Sequence, residues 1–308
     1  MIGYQLKITD LKIVEMLRHS PRASHRAIAT AVGLSEAMVG NRIRRLTDTG
    51  DIRVIGQRSA IPLGFDIVAH MDVTVVAGQI DTVARALAAN RRFGVVDIVS
   101  GPAHLMVVAL ARNNGEIISL IENHLTCADG IQRVEINASG RTVSMLGQER
   151  PSATRTRRPQ KLDSLDRDVI KLLRQDGRMS NREIARRLDI PEATARLRLQ
   201  KMLSADMLQY RLQIHKRIAR NLSSAYIGID ADPASASAVA RKIGMLPGCF
   251  YSGLTLGRHT IFAYFLTSSR EELYSIARQS IERIEGVHAI SIREVLDVVK
   301  HPTQIGEA

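Results

Sequence analysis

The sequence predicts an α+β protein in which a three-helix domain is followed by a βαββαβ domain, with the pair repeated in tandem. Three observations lead to this prediction. The chain matches itself at a constant shift of 156 positions, helical periodicity fills the first third of each copy, and β-branched alternation fills much of the rest. With 308 residues, of which 45% are hydrophobic and 24% charged, the chain can build packed cores, which excludes wholesale disorder.

The internal repeat runs through both halves without a gap. The shift places Asp10 on Asp166 near the start of each copy, and Gly101 on Gly257 much later. One cluster of matches could arise by chance, but a constant shift through four clusters indicates a duplicated module. The predicted domains are 1–60 and 163–222 for the helical domains, 61–146 and 223–308 for the sheet domains, and 147–162 for a linker.

The linker is rich in proline, serine, threonine and basic residues. It has almost no apolar residue to bury, which is typical of an extended, mobile segment. We interpret it as a solvated spacer, with an arm that contacts phosphates as the alternative.

The formal net charge of +12 is concentrated in particular parts of the chain. The two helical domains carry +5 and +6 and the linker +4, whereas the two sheet domains together carry −3. General solubility does not require such segregation, so it indicates a nucleic acid as the partner.

The cellular compartment is predicted from what the sequence lacks. Two cysteines, Cys127 and Cys249, cannot build a disulfide framework, and neither a signal peptide nor a long apolar segment is evident. We therefore expect a cytoplasmic protein with no membrane contact.

Each helical domain has the spacing of a helix-turn-helix. A first amphipathic helix is followed by a short helix whose N-cap is Ser24, or Ser180 in the second copy, where Glu183 completes a capping-box pattern. After a tight turn, a third helix begins at Glu36 or Glu192.

The third helix has one apolar face and one polar, cationic face. This layout suits a recognition helix in a DNA major groove, where its first residues reach base edges and long basic side chains reach phosphates or guanine. A solvated charged face is the alternative. The candidate DNA-binding residues are Ser35, Met38, Asn41, Arg42, Arg44, Arg45, Thr194, Arg196, Arg198 and Lys201.

The two third helices differ on their polar faces. Leu197 stands where copy one has Asn41, and Thr194 stands where it has Met38. We therefore expect unequal half-sites rather than a strict palindrome, with the recognition helices about one DNA turn apart.

The rest of each copy predicts the order βαββαβ. In copy one the strands are expected near residues 66–76, 93–99, 105–111 and 134–143. This order describes a ferredoxin-like sandwich, with two helices on one face of a four-stranded antiparallel sheet. The other face must be covered, and we expect the sheets of the two copies to cover each other.

Taken together, these residues resemble the Lrp/AsnC family of bacterial and archaeal transcription regulators, present twice in tandem. The resemblance rests on the stretches 24–46 and 180–202, the Leu-Ser turn before the first recognition helix, and the glycine that follows Val99 and Ser100. It implies a winged helix-turn-helix domain followed by a ferredoxin-like domain, double-stranded DNA as partner, and a homo-oligomer. It also implies a small-molecule effector site near the two loop glycines, between paired sheets.

The effector loop departs from the family, whose members usually carry acidic residues just after the glycine. Neutral or cationic residues stand there in this chain, which would suit an anion or leave the pocket empty and argues against an amino-acid ligand. We interpret both histidines as ordinary loop histidines, with direct contact to a ligand as the alternative. The candidate effector residues are Ser100, Gly101, His104, Leu256, Gly257, Arg258 and His259.

An enzyme is the alternative class. Haem-pathway decarboxylases resemble the same fold and hold tetrapyrrole carboxylates with His and Arg near the sheet interface, a part that His104, Arg258 and His259 could take. The basic recognition helices argue against it, and the chain has no HExxH, GxSxG, P-loop, GxGxxG or CxxC motif. We predict a non-enzymatic regulator without metal or cofactor, whose single chain acts as a pseudo-dimer.

Overall fold

A computed structural model describes residues 8–58, 67–125, 128–145, 148–149, 162–205, 207–215 and 222–300. Cys127 and the predicted linker, apart from residues 148, 149 and 162, lie outside this range. The chain forms two compact units. One unit contains the helical domains of both copies and the other contains the sheet domains of both copies, so like domains associate across the repeat.

The helical unit repeats the same four elements. In copy one they are α1 (Ile8–His19), α2 (His25–Val32), α3 (Glu36–Asp48) and β1 (Ile52–Arg58). In copy two they are α6 (Ser164–Gln175), α7 (Asn181–Leu188), α8 (Glu192–Ser204) and β7 (Leu208–Ile214). The 156-residue shift maps each set onto the other with identical bounds, which confirms the duplication and the predicted starts of both third helices.

Polar caps determine where the short helices begin. The hydroxyls of Ser24 and Ser180 each accept an amide hydrogen bond from the first turn, at 3.1 Å, as predicted. The second half of the predicted capping box is wrong, because the Glu183 carboxylate accepts hydrogen bonds from Arg186 and Arg187 instead. Two guanidinium donors form stronger, charge-assisted bonds with the carboxylate than one backbone amide would.

The two helical domains pair about a pseudo-two-fold axis. Strands β1 and β7 run antiparallel, and Ile55 lies opposite Arg211, its own counterpart in the repeat. Reciprocal contacts flank the strands: Arg22 donates to the carbonyl of Met179 at 3.0 Å, and its counterpart Arg178 donates to the equivalent carbonyl of Ala23 at 2.8 Å. Such mutual use of one surface is the geometry of a two-fold dimer, here within one chain.

The sheet unit contains two ferredoxin-like halves, as predicted. Copy one supplies β2 (Ile67–Val75), α4 (Ile80–Ala89), β3 (Phe93–Val99), β4 (Leu105–Ala111), α5 (Asn114–Leu120, continued by a π-helical turn Ile121–Leu125), β5 (Ile131–Met145) and the short β6 (Gln148–Glu149). Copy two supplies β8 (Ser223–Ala231), α9 (Ala236–Gly244), β9 (Cys249–Leu256), β10 (Ile261–Thr267), α10 (Arg270–Ser275, continued by a π-helical turn Ile276–Ile281) and β11 (Val287–Lys300).

The two sheets also join edge to edge, which the sequence pattern did not predict. Strand β3 pairs with β11 of the other copy and β5 pairs with β9. Since β2 also pairs with β5, the order β2-β4-β3-β11-β8-β10-β9-β5 closes into an eight-stranded barrel. Closure leaves none of these eight strands with an unpaired edge.

Side chains alternate between the helix-covered outside and the inside of the barrel. On β2, Met71 and Val73 belong to the apolar core beneath the helices of copy one, whereas His70 and Asp72 are buried outside that core. The apolar cluster between the two copies includes Met106, Tyr226 and Phe262, and polar residues are buried around it. Among the described residues, no helix has both the length and the apolar character needed to cross a bilayer.

Candidate functional site

The first candidate recognition helix, α3, is fixed to the rest of its domain by one face. Val39, Ile43 and Leu46 are buried on that face, as their spacing predicted. The Ser35 hydroxyl caps the helix by accepting a hydrogen bond from the amide of Met38 at 3.2 Å. The candidate Ser35 therefore has a structural role in addition to any contact with DNA.

The opposite face of α3 presents a mixed surface to solvent. Met38 is 46% exposed, and Asn41, Arg44 and Arg45 are exposed as well. An amide, two guanidinium groups and a flexible apolar side chain on adjacent turns can supply both base-edge and phosphate contacts.

Arg42 has a partner inside the domain. Its guanidinium donates to the buried carboxylate of Asp10 at 2.7 Å, and Arg45 donates to the other oxygen of Asp10 at 2.9 Å. The side chain of Asp10 is 1% exposed, so this carboxylate ties α3 to α1. The predicted base contact of Arg42 stays a prediction, and it competes with this ion pair.

A corresponding ion pair joins the third helix to the first helix in copy two. Arg198 on α8 donates to Asp166 at 3.1 Å and also contacts Asp163, where its guanidinium holds the pKa of the Asp163 carboxyl below its usual value. The sequence reasoning missed both ion pairs. The repeat contained the signal, since the acidic residue that opens each copy recurs at the same shift as Arg42 and Arg198.

The exposed face of α8 differs from that of α3. Leu197 is 63% exposed, and Arg196 and Lys201 are exposed beside it, whereas Thr194 is half-buried. This arrangement places a large apolar side chain in solvent beside basic neighbours. It can contact a thymine methyl group, which an Asn side chain at the same place would not favour.

Part of the positive charge assigned to DNA binding has another use. Arg22 donates to the hydroxyl of Tyr210 at 2.7 Å, and Arg178 donates to the carbonyl of Ala23 at 2.8 Å, both across the pairing of the two domains. Both arginines were counted in the positive charge of the helical domains. They stabilise the pairing that places both recognition helices in one unit.

The effector loop of copy one lies against β11 of copy two. Ser100 exchanges two hydrogen bonds with the backbone of Glu294, at 2.8 and 2.9 Å, and Gly101 adopts a left-handed φ of 104°. The Nδ1 atom of His104 accepts the amide hydrogen of Val75 at 2.9 Å. His104 therefore holds the end of β2, a role that Thr260 takes beside Ala231 in copy two.

The effector loop of copy two lies against β5 of copy one. A Cβ on Gly257 would come within 2.6 Å of the carbonyl oxygen of Ile136, so only glycine fits there. The amide of Arg258 donates to the Asn137 side chain at 3.0 Å, while Leu256 is 80% exposed.

His259 is buried in this loop. Its Nδ1 atom lies 2.9 Å from a carboxylate oxygen of Asp230. The structure thus brings each effector loop to the interface between the sheet halves, against the last long strand of the other copy. It gives both loop histidines partners within the protein.

Family comparisons match both helical domains. Residues 8–47 match the family described as the AsnC-type helix-turn-helix domain. Residues 162–209 match the family described as winged helix-turn-helix DNA-binding. The matched ranges cover the three helices of each copy.

Relatives with assigned names align with about half of this chain. An uncharacterized HTH-type transcriptional regulator of Pyrococcus abyssi is 31% identical over 140 residues, which cover 45% of this chain and 89% of that protein. Another, of Pyrococcus furiosus, is 32% identical over 140 residues, which cover 45% of this chain and 95% of that protein. These regulators therefore correspond in length to one copy of the repeat.

The two-copy architecture occurs in a solved structure. The siroheme decarboxylase NirDL aligns with a TM-score of 0.56 and 14% identity, covering 95% of this chain and 92% of that one. At this identity the likeness extends to the fold alone. The identity to single-copy regulators and the matched helix-turn-helix domains show that the chain belongs to the Lrp/AsnC family of transcription regulators.

Proposed function

We propose that the chain is a sequence-specific DNA-binding regulator that acts as a pseudo-dimer. The observation that carries the proposal is the pairing of the two helical domains through β1 and β7, which joins α3 and α8 into one unit. Dimeric helix-turn-helix proteins place two recognition helices in successive major grooves, about one DNA turn apart. Here one chain supplies both helices.

The exposed faces of α3 and α8 support unequal half-sites. Asn41 in copy one can make a bidentate contact with adenine, whereas the exposed Leu197 in copy two suits a thymine methyl group. Arg44 and Arg196 are exposed and serve phosphate or guanine contacts.

Selection of bound duplexes from a random library, followed by footprinting, tests this proposal. We expect a site with two unlike half-sites whose centres are about 10 base pairs apart. Arg44→Ala and Arg196→Ala should each reduce the salt dependence of binding by about one ion if they contact phosphates. A selection without sequence enrichment, or a symmetric footprint, would contradict the proposal.

Both helical domains need separate tests, since copy two could serve only as a platform. Footprints of the Arg44→Ala and Arg196→Ala proteins distinguish the two arrangements. If both copies read DNA, each substitution weakens protection over one half-site only. If copy two is a platform, Arg196→Ala leaves the footprint unchanged, and only Arg44→Ala weakens it.

An effector that binds at the two loops is part of this proposal. Arg258 is the exposed charged group of the loops, with its guanidinium 3.7 Å from the Glu135 carboxylate, and it favours an anionic ligand over an amino acid. Operator binding measured with and without a pool of organic anions, and separately of amino acids, tests this. A response to amino acids alone would contradict the assignment.

We also infer that the chain is not an enzyme, and that its pseudo-dimers associate further as homo-oligomers. The likeness to a siroheme decarboxylase concerns the fold, and the two histidines proposed to hold tetrapyrrole carboxylates have partners within the protein. Incubation with a tetrapyrrole tests the alternative. A new visible absorbance band that Arg258→Ala abolishes would favour it.

A further inference from the structure

The two copies meet at two equivalent places inside the barrel, and the buried residues differ between these two contacts. On one side, Asp72 of β2 in copy one forms an ion pair with Arg293 of β11 in copy two, with 3.0 Å between Oδ2 and Nη2 and both side chains almost fully buried. The repeat places Gly228 at the position equivalent to Asp72, and Asn137 at the position equivalent to Arg293. The second contact therefore has a glycine and an amide where the first has an ion pair.

At the second contact, the space beside Gly228 is filled by the side chain of His259. A Cβ on Gly228 would collide with the His259 imidazole, so the histidine occupies the room that a side chain would need. Asn137 stays short and accepts hydrogen bonds from the backbone amides of Arg258 and His259. The counterpart of His259 in copy one is the small Ala103, so large and small residues change places between the two sides.

Pairing of two identical copies, which we call like pairing, would lose the complementary residues at both contacts. Two copy-one sheets would bury Asp72 opposite Asn137 on both sides, which leaves two carboxylates without a guanidinium. Two copy-two sheets would bury Arg293 opposite Gly228 and beside His259, which leaves two cations without a carboxylate in a crowded space. A buried charge without its partner is strongly destabilising, so unlike pairing is the arrangement that satisfies both copies.

A second buried contact disfavours only one of the two like pairings, that of two copy-two sheets. The Tyr226 hydroxyl of copy two donates to Asp97 of copy one at 2.7 Å. In a pair of copy-two sheets Tyr226 would face Gly253, the counterpart of Asp97, and lose this acceptor. In a pair of copy-one sheets Asp97 would face His70, which can still hydrogen-bond, so this contact opposes copy-two pairs alone.

The helical unit discriminates less. Arg22 and Arg178 are the same residue type at equivalent positions, and they donate to the equivalent carbonyls of Met179 and Ala23, bonds that a pair of like copies would retain. The exposed bond from Arg22 to the Tyr210 hydroxyl differs, because Val54 stands at the position equivalent to Tyr210. The buried charges of the barrel therefore carry the larger share of the selectivity.

We propose that the barrel interior specifies its partner. A copy-one sheet accepts a copy-two sheet and rejects another copy-one sheet, because charge and side-chain size are complementary only between unlike copies. Two chains in one cell therefore do not exchange like halves, and any partner for a sheet half must carry the complementary set. This assignment is independent of whether the helical unit binds DNA.

A protease site introduced into the full chain within 150–161 allows a direct test. The cleaved protein is unfolded in urea, refolded, and analysed by native mass spectrometry for unlike and like pairs of fragments. We expect a more than about tenfold excess of unlike over like pairs. Random pairing, in which unlike pairs make up about half of the total, would overturn the proposal.

Substitutions in the uncut chain provide a second test, which does not depend on refolding of fragments. Arg293→Asn and Asn137→Arg each imitate one like pairing and should lower the thermal midpoint. The matched control exchanges the whole set between copies, with Asp72→Gly, Gly228→Asp, Ala103→His, His259→Ala, Asn137→Arg and Arg293→Asn in one chain. We expect the exchange to recover most of the lost midpoint, and a midpoint as low as that of the single variants would contradict the assignment.

Discussion

The guanidinium of Arg42 donates to the buried carboxylate of Asp10 at 2.7 Å, and this bond joins the candidate recognition helix to the first helix of its domain. An arginine on the polar face of a recognition helix is normally assigned to DNA. Here one side chain has two possible partners, an internal carboxylate and a nucleic acid, and substitution affects both stability and binding.

Arg42→Ala should therefore destabilise the first helical domain. Asp10 would retain Arg45 but lose its shorter ion pair, and a buried charged acceptor that loses a donor costs about 1–3 kcal/mol. The shift of the thermal midpoint in circular dichroism measures this loss. Arg44→Ala is the matched control, because Arg44 is exposed on the same helix and should change stability by less than about 0.5 kcal/mol.

Asp10→Asn separates the two roles of Arg42. Asp10 is buried and has no path to DNA, so any loss of operator affinity in this variant must act through the position of α3. Comparable losses in Asp10→Asn and Arg42→Ala, measured where both are folded, assign Arg42 to positioning. A base contact by Arg42 predicts that Arg42→Ala alone loses about 1–3 kcal/mol of binding free energy.

The sequence predicted local structure well, because local structure depends on residues near one another. Both N-caps, the buried stripe of α3 and the start of α8 follow from spacing within a few residues. The duplication was readable because the two copies retain one register over their full length.

The interactions missed by the sequence reasoning are long-range. The bond between Arg42 and Asp10 spans 32 positions, and that between Arg178 and Pro21 spans 157. Barrel closure depends on which strand edges remain unpaired after each half has folded, and hydrophobic periodicity does not report this. The inward-facing polar residues were not predicted either. Alternation shows which residues of a strand share a face, but not which residues that face contacts.

Leu197→Asn should change the base preference of one half-site. The substitution gives copy two the residue that copy one carries at Asn41, so the second half-site should come to favour adenine over a thymine methyl contact. We expect discrimination to change by about 1–3 kcal/mol at that base pair, read from sequences selected by each protein. Asn41→Leu should cause the converse change in the other half-site, and identical selected sequences would disprove the assignment.

Asp97 should make the protein less stable as the pH rises. Burial raises the pKa of Asp97 to about 7 despite the hydrogen bond from Tyr226, whereas an unfolded Asp titrates near about 3.9. The folded state therefore holds the proton more tightly. The stabilisation from this group is complete below about pH 4 and is lost as the pH rises through about 7.

Asp97→Asn imitates the protonated carboxyl and tests this dependence. The advantage of the variant over the wild type should grow between pH 5 and pH 8 by a free energy on the order of 1–3 kcal/mol, read from thermal midpoints, because only the wild type loses stability over this range through Asp97. Glu285→Gln removes a carboxylate at an exposed position and is the control for the loss of one negative charge. A difference between Asp97→Asn and the wild type that is equal at both pH values would mean that Asp97 is already ionised at pH 5.

His70 should act in the opposite direction. Burial lowers its pKa to about 3, and its ring lies 4.4 Å from that of Phe262. The folded state therefore holds the neutral imidazole, and its contribution is lost as the pH falls from about 6.5 toward 3. His70→Phe keeps an aromatic ring and removes the titration, so the wild type should lose stability relative to this variant between pH 7 and pH 5.

The two groups titrate over overlapping ranges with opposite signs. Between about pH 4 and 6.5, acidification stabilises the fold through Asp97 and destabilises it through His70, so the wild-type curve should be nearly flat from these two groups. Asp97→Asn should expose a fall in stability on acidification, and His70→Phe should expose a rise. If both single variants remained as flat as the wild type, neither group could be held in its buried, uncharged form.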